Sequence, residues 1–405
     1  MKLLRWSLIS HMCQCSRNPY LTDSPFWIQQ EYRAFECDDI QSFHRSIPGY
    51  QPTPLVRLPA LAERLGVAEL SIKDESHRLG LKAFKAMGAS YAIYRFIKQR
   101  WERQLGVQFE AANLFDPGAI SQLDLRPFCT ATDGNHGRAV AWFSRLTGQR
   151  AVIYIPTGTV RARIDNIRGE GAQVTVIDGD YDETVRRMAT DAERNGWHVI
   201  SDTSYPGYTQ IPAWIMAGYT TMFREITEAR LMSGHRHHFT HVFVQAGVGS
   251  FAASAAWYYT HQDCRPNLVA VEPTQADCLM ASIRHGDGQP QVSRGNSQTI
   301  MAGLNCGTPS LIAWPLIRDS YSLFLTISDD YVKKAMRQYY YPEGADSRII
   351  SGESGAAGLA AVLALLENKN LIRAKQDLNL NSDSRVLLFN TEGDTDPENF
   401  ATIVN

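Results

Sequence analysis

Short apolar runs alternate with longer segments of helical spacing along most of this chain. The apolar runs are rich in β-branched and aromatic residues, which predicts strands at residues 70–75, 127–134, 151–156, 172–178, 241–247, 267–273, 322–329 and 384–393. Many of these runs are continuously apolar, as in parallel sheets that helices cover on both faces. Because strand and helix patterns alternate throughout, we predict an α/β fold with open, twisted, mostly parallel sheets covered by helices.

Composition narrows the class of protein. The chain has 405 residues, and with about 150 residues per domain as a guide this length predicts two domains. With 40 Lys and Arg against 42 Asp and Glu, the formal net charge of −2 gives no electrostatic reason to bind nucleic acid or an anionic membrane. The longest apolar stretch, 355–366, is too short to span a bilayer and predicts a buried helix. We therefore expect neither a nucleic-acid nor a membrane partner.

The cysteines and the N-terminal segment bear on location. The seven cysteines are sparse and lack CxxC spacing, so they indicate neither a disulfide scaffold nor a zinc ribbon, and a reducing, cytoplasmic compartment is expected. The first 22 residues contain Lys2, Arg5 and Arg17 but no acid, which leaves a mitochondrial presequence as the alternative. We predict instead that residues 1–22 form a poorly ordered tail of unknown role.

Candidate chemistry lies where strands end, since ligands of such sheets bind at the carboxyl ends of strands. After the first predicted strand, Lys85 stands between Phe84 and Ala86, an apolar setting for a cation. A buried lysine can act as a nucleophilic amine. The alternative is a lysine whose stem packs while its ammonium reaches water.

A second strand end carries a polar, glycine-rich turn, TDGNHG, directly before an apolar helix. Its backbone N–H groups would point at an anion at the helix start. Within the turn, Asp133 is a candidate acid or base, Asn135 a neutral hydrogen-bonding side chain, and His136 either a base or a packing residue. A plain N-capping turn is the alternative.

Two further strand ends are unusual. One is followed by a turn with the composition of a phosphate cradle, Gly247, Val248, Gly249 and Ser250. This turn also matches the dinucleotide fingerprint, with Glu272 near the position of a ribose-binding acid, so a nicotinamide-dependent dehydrogenase stays an alternative. The last strand ends at Thr391 with acids after it, which suggests either a divalent metal or a polar capping loop.

Long motifs occur in order over roughly residues 25–400, at 48–67, 73–93, 130–142, 201–219, 242–252, 269–278, 299–310, 351–359 and 390–397. On these motifs the chain resembles the fold type II (tryptophan synthase β-like) enzymes that use pyridoxal 5'-phosphate (PLP), and within them the diaminopropionate ammonia-lyase family. The resemblance implies PLP in a cleft between a large domain, 23–85 and 206–405, and a small domain, 86–205. It also implies a small amino-acid substrate and a homodimer.

The resemblance assigns cofactor roles to the candidate residues. Lys85 holds PLP as an internal aldimine, and residues 247–250 bind the phosphate. Asn135 bonds the ring hydroxyl, and Thr391 faces the pyridine nitrogen. A neutral hydroxyl does not keep that nitrogen protonated, which favours elimination at Cβ. No metal site is then expected after Thr391.

Asp133 distinguishes the chain from related serine and threonine dehydratases, which have a small residue at this point of an S-x-G-N-H turn. The turn, with Thr132, Gly134 and His136, is expected to hold the substrate carboxylate. A further carboxylate there would attract a β-ammonium group or remove the α-proton from the face opposite Lys85. With a catalytic base on each face, the enzyme could remove the α-proton from both D and L substrates.

The activity that the resemblance implies is α,β-elimination of ammonia from D- or L-2,3-diaminopropionate. Aminoacrylate is released and hydrolyses to pyruvate, so two ammonia are formed in total. Three alternatives remain open. They are a related PLP-dependent lyase, dehydratase or β-replacement enzyme, a catalytically silent binding protein that kept the fold, and the dehydrogenase named above.

Overall fold

The computed structural model describes residues 12–405 except positions 24, 26, 28, 29, 133, 180 and 236. The strands are β1 (Gln14–Arg17), β2 (Leu55–Arg57), β3 (Glu69–Asp74), β4 (Phe128–Ala131), β5 (Ala151–Pro156), β6 (Gln173–Ile177), β7 (His198–Val199), β8 (His241–Gln245), β9 (Asn267–Pro273), β10 (Leu323–Ile327) and β11 (Arg385–Asn390). Every strand predicted from the apolar runs is present. The short strands β1, β2 and β7 were not predicted.

The described helices follow the strands in the expected alternation. They are α1 (Asp39–Ser46), α2 (Pro59–Leu65), α3 (Lys85–Leu105), α4 (Pro117–Ile120), α5 (Asn135–Leu146), α6 (Arg161–Gly169), α7 (Tyr181–Asn195), α8 (Gln210–Met232), α9 (Ser250–Thr260), α10 (Cys278–His285), α11 (Trp314–Ser320), α12 (Asp329–Tyr340), α13 (Ala357–Glu367), α14 (Ile372–Asp377) and α15 (Pro397–Val404). Short 3₁₀ helices occur at Gln30–Glu36, Glu75–Gly80, Ala111–Phe115, Ala302–Leu304 and Lys369–Leu371. Among the described helices, none combines the length and apolar character that a membrane crossing requires.

The first compact unit comprises residues 52–77 and 222–405 with the described part of 1–29. Its seven-stranded sheet has the order β1-β10-β9-β8-β11-β3-β2, and its five central strands run parallel. Helix α13 is apolar on all sides and buried from Ala357 to Leu365, as the stretch 355–366 predicted. A helix of this kind is stable only inside a core, and α13 lies in the main apolar cluster with β8 to β11.

The N-terminal segment is partly ordered, which corrects the predicted tail at residues 1–22. Residues 14–17 form strand β1, which pairs antiparallel with β10, with Cys15 opposite Leu325. The side chain of Cys13 is buried. Residues 1–11 lie outside the described part of the chain, so the prediction for them stays as it was.

The second compact unit comprises residues 30–51 and 78–221. Its sheet has the order β6-β5-β4-β7 with all neighbours parallel, and α3 packs against α5. The division differs from the predicted domain boundaries, because residues 30–51, 78–85 and 206–221 belong to this unit and not to the one predicted to contain them. His44, for example, is buried and bonds the Met87 carbonyl oxygen at 2.9 Å and the Thr221 hydroxyl at 2.7 Å.

Candidate active site

Lys85 is the first residue of helix α3, in the second unit. Its side chain is 18% exposed, and Phe84 and Ala86 on either side are buried. The ammonium nitrogen lies 5.2 Å from the centroid of the Phe84 ring, within cation–π range. Lys82, three residues earlier, is exposed. The apolar surroundings predicted for Lys85 are therefore present, and they distinguish it from its neighbour.

The ammonium group of Lys85 has a carboxylate partner that the sequence analysis did not single out. Nζ of Lys85 lies 2.5 Å from Oδ2 of Asp202. Burial opposes ionisation of Asp202, but the charge of Lys85, with a contribution from His136, more than offsets it and lowers the pKa of Asp202 to about 2. The two groups therefore form an ion pair at neutral pH. Asp202 lies in the motif at 201–219, but no feature of that motif identified it as the partner of a lysine.

The turn before α5 is shaped by Thr132. Its hydroxyl accepts hydrogen bonds from the N–H groups of Gly134 at 3.0 Å and Gly137 at 3.1 Å, which satisfies free amides at the helix start. Gly134 has φ +154° and ψ −86°, and a Cβ there would lie 3.0 Å from Cδ of Arg163. Glycine is thus required at this position. Asp133 itself lies outside the described residues.

Two other predicted residues of this turn lie on α5. Asn135 is its first residue. His136 is buried, and its Nε2 bonds the carbonyl oxygen of Ile200 at 2.8 Å. Burial lowers the pKa of His136 below its usual value, with the nearby Lys85 charge acting in the same direction. This buried, hydrogen-bonded position agrees with the packing role considered for His136.

In the first unit, the predicted glycine turn joins β8 to α9. Gly249 has φ +97°, and a Cβ there would lie 2.6 Å from Cδ1 of Ile317. A Cβ at Gly247 would lie 2.8 Å from Sγ of Cys306. The backbone therefore occupies space in which no side chain fits, directly before helix α9. The first N–H groups of a helix have no acceptor within it, so this turn suits a bound anion such as a phosphate.

Thr391 follows β11, the parallel neighbour of β8, so it lies at the same edge of the sheet as the glycine turn. Its hydroxyl is buried and accepts a hydrogen bond at 3.1 Å from Nε2 of Gln245, the last residue of β8. The same amide donates to the carbonyl oxygen of Phe389 at 2.9 Å. Gln245 thus fixes Thr391 relative to the turn. Sequence reasoning missed Gln245, because its role depends on the neighbouring strand.

The position of Glu272 does not support the alternative of a nicotinamide-dependent dehydrogenase. Its two carboxylate oxygens accept hydrogen bonds from the N–H groups of Leu279 at 2.7 Å and Met280 at 2.8 Å, at the start of α10. The side chain is fully buried, and burial raises the pKa of Glu272 to about 8. It is a helix cap, so its interpretation as a ribose-binding acid was wrong. The acid in question binds the protein's own backbone.

Substituting asparagine for Asp202 is expected to destabilise the cofactor-free protein by about 2 kcal/mol at pH 7, because Lys85 loses its counter-ion. The folded pKa of Asp202 lies below the usual carboxyl value, so its contribution is present above pH 4 and disappears as the pH falls towards about 2. Urea unfolding at pH 7 and pH 3 measures both values. The exposed pair of Asp165 and Arg161 is the control, and D165N should change stability by less than about 1 kcal/mol. An equal D202N effect at both pH values would contradict the ion pair.

The chemistry of these groups fits one kind of cofactor. A partly buried amine with an acidic partner suits an aldehyde, a glycine turn at a helix start suits a phosphate, and a buried neutral hydroxyl suits a pyridine nitrogen. The fold and these groups define the class of pyridoxal-phosphate-dependent enzymes of fold type II.

Comparison with known proteins gives the same class and a narrower family. A family model described as "Pyridoxal-phosphate dependent enzyme" matches residues 47–391. The chain is 42% identical over 370 residues to diaminopropionate ammonia-lyase of Salmonella typhimurium, which covers 90% of this chain and 91% of that protein. The Escherichia coli (strain K12) diaminopropionate ammonia-lyase is 41% identical over 367 residues, 90% of each chain.

Solved structures of the Escherichia coli enzyme agree. Its complex with D-serine matches with a TM-score of 0.86 at 36% identity over 97% of each chain. Its complex with an aminoacrylate-PLP azomethine reaction intermediate matches with a TM-score of 0.83 at 36% identity, also over 97% of each chain. The chain belongs to the pyridoxal-phosphate-dependent enzymes and, within them, to the diaminopropionate ammonia-lyase family. The predicted fold class, PLP as cofactor and the assignment as a lyase are confirmed.

Proposed function

We propose that this enzyme eliminates ammonia from 2,3-diaminopropionate, giving pyruvate and two ammonia by way of released aminoacrylate. The observation that carries the proposal is the 42% identity to the Salmonella typhimurium diaminopropionate ammonia-lyase over 90% of the chain. The partly buried pair of Lys85 and Asp202 supports it, because this elimination needs an amine that can both bind an aldehyde and carry a proton.

The residues that the resemblance assigned would hold the cofactor. Lys85 would bind its aldehyde carbon, residues 247–250 its phosphate and Asn135 its ring hydroxyl, and Thr391 would face its pyridine nitrogen. When bound, PLP supplies the electron sink for loss of the α-proton and the β-amine. The hydroxyl of Thr391 already accepts from Gln245, so its hydrogen is left to donate. A neutral donor of this kind favours elimination over reactions that need a fully protonated ring.

The turn at 132–136 positions the substrate. The turn that contains Thr132, Gly134 and His136 holds the substrate carboxylate, and Asp133 attracts the β-ammonium group. The α-proton goes to Nζ of Lys85 or to the carboxylate of Asp133, according to the hand of the substrate. Asp202 stays ionised, so it stabilises Lys85 in the protonated state that follows proton transfer.

An assay with purified, PLP-loaded enzyme tests the proposal. D- and L-diaminopropionate should each give pyruvate, with two ammonia per pyruvate. D- and L-serine, L-threonine and O-acetylserine should react at least about 100-fold more slowly, since catalysis depends on recognising the β-ammonium group. Faster elimination from a hydroxy amino acid would favour a dehydratase. Consumption of an added thiol with O-acetylserine would favour β-replacement.

Two further expectations remain proposals. The resemblance implies a homodimer, which light scattering would test as twice the chain mass of 45.4 kDa. A reducing compartment, the cytoplasm, is supported by the seven cysteines, all of which are free thiols in the structure. Both would hold or fail independently of the reaction.

A further inference from the structure

The chain that leads to Asp202 is held through its backbone. Strand β7 ends at Val199, and the next residue, Ile200, donates its N–H to the carbonyl oxygen of Cys129 on β4 at 2.8 Å. The carbonyl oxygen of Ile200 bonds Nε2 of His136 at 2.8 Å. Both polar backbone groups of Ile200 are therefore bonded to other elements of this unit, two residues before Asp202.

The residues on either side of Ile200 share one partner, the hydroxyl of Tyr208. This hydroxyl accepts a hydrogen bond from the N–H of Ser201 at 2.9 Å and donates one to the carbonyl oxygen of Val199 at 3.0 Å. It thus uses its donor and an acceptor position on the chain directly before Asp202. Burial raises the pKa of Tyr208 well above its usual value, so the phenol keeps the proton that it donates.

Tyr208 is itself held by a tight turn that begins at Tyr205. The backbone N–H of Tyr208 bonds the carbonyl oxygen of Tyr205 at 2.9 Å, and the reverse bond measures 3.3 Å. Between them, Gly207 has φ +85°, the region that type II turns require at their third residue and that glycine adopts without strain. The two tyrosine rings stack with their centroids 5.0 Å apart. The turn therefore fixes the ring that carries the bridging hydroxyl.

The ion pair of Lys85 and Asp202 depends on the distance between its two groups. Among the described residues, the other titratable groups that act on this pair are His136, Tyr208 and Tyr219, and burial favours the neutral form of all three. The carboxylate of Asp202 lies 2.5 Å from Nζ of Lys85. Since Coulomb attraction weakens with distance and a hydrogen bond is lost beyond about 3.5 Å, a small displacement of the carboxylate would destabilise the ammonium form of the lysine.

We propose that Tyr208 is a positioning residue for Asp202 and, through it, for Lys85. By bonding the chain on both sides of Ile200, its hydroxyl holds the carboxylate at hydrogen-bond distance from the amine. The inference rests on the proposed function in taking Lys85 as the lysine that binds PLP. Its measurable effect is on the amine itself and needs no substrate.

The test measures how fast the full-length, cofactor-free protein forms its lysine-bound absorption band with added PLP at each pH. The rate follows the neutral fraction of Lys85, because only the neutral amine attacks an aldehyde. Asp202→Asn, which removes the carboxylate charge, should move the midpoint of this profile to lower pH by about 1–3 units. Tyr208→Phe keeps the ring and removes the hydroxyl, and it should move the midpoint in the same direction by about 0.5–1 unit.

The double variant Y208F/D202N separates positioning from a merely structural role. If Tyr208 acts through Asp202, its hydroxyl has no further effect once the charge is gone, so the double variant should match D202N within about 0.3 unit. An unchanged midpoint in Y208F, or a Y208F shift that persists in full in the D202N background, would overturn the proposal. Tyr205→Phe is the matched control, because this neighbouring tyrosine is 48% exposed, and it should keep the parent midpoint.

Asp202→Glu decides the question even if Y208F does not fold. This variant keeps the charge and the contacts of Tyr208, but one more methylene group moves the carboxylate. Its midpoint should lie between those of the parent and D202N, and a parent midpoint would overturn the proposal. An unchanged midpoint in D202N would overturn both the proposal and the assignment of PLP to Lys85. If diaminopropionate fails to react, the proposed substrate is wrong, and the profiles still decide the role of Tyr208.

Discussion

Alanine in place of Lys85 is expected to lower kcat for diaminopropionate by at least about 10,000-fold, a barrier increase of about 5 kcal/mol. The variant loses both the amine that binds the cofactor covalently and a base for the α-proton. Its ion-pair partner, Asp202, is also left without the cation that lowers its pKa. Single-turnover pyruvate formation at saturating PLP measures the loss without interference from weak cofactor binding.

Lys82 provides the control for this variant. It lies three residues before Lys85 on the same segment, but its side chain is exposed. Lys82→Ala should therefore keep turnover within about 2-fold of the parent enzyme, as surface substitutions usually do. More than a tenth of the parent kcat in Lys85→Ala would show that another amine serves the reaction.

Substituting asparagine for Asp133 is expected to lower kcat unequally for the two enantiomers of diaminopropionate. If Asp133 is the base on the face opposite Lys85, the variant should lose about 100- to 10,000-fold in kcat for one enantiomer, the usual contribution of a general base. The other enantiomer, whose α-proton goes to Lys85, should lose much less. The loss of attraction for the β-ammonium group should raise KM for both. Initial rates with each pure enantiomer give the ratio.

Asp124 supplies the comparison for Asp133. It belongs to the same unit, and its side chain is 81% exposed in a surface pair with Arg126. Asp124→Asn should leave the enantiomer ratio unchanged. A parallel loss for both enantiomers in Asp133→Asn, with no change in their ratio, would show that one base serves both hands and that Asp133 acts in binding alone.

The sheets could be predicted because their central strands are buried on both faces. Such strands read as continuous apolar runs, of which β5 and β9 are examples. Strand β1, with the sequence QCSR, has no buried residue and exists because it pairs with the edge of β10. These four residues include only one apolar residue, Cys15, so their sequence carries no strand pattern that could reveal it. The placement of residues 30–51 depends likewise on distant contacts, such as His44 with Met87.

In the candidate site, too, some residues could be predicted from the sequence and others could not. Lys85 and the glycine turn are visible in the sequence, because an amine in an apolar segment and glycines before a helix carry local signals. Asp202 lies 117 residues from Lys85 in the sequence, and only the fold brings the two side chains together. The role of Asp202 could therefore not be predicted from the sequence. Glu272 shows the opposite error. Its spacing from the glycine turn is typical of a dinucleotide site, but its carboxylate caps the next helix.

The assignment of the cofactor to Lys85 can be tested by identifying the lysine that carries it. Borohydride reduction of the PLP-loaded enzyme converts the lysine–cofactor linkage into a stable secondary amine, which peptide mass spectrometry can place. We expect a single reduced adduct, on Lys85. An adduct on Lys82 or another lysine, with Lys85 unmodified, would contradict it.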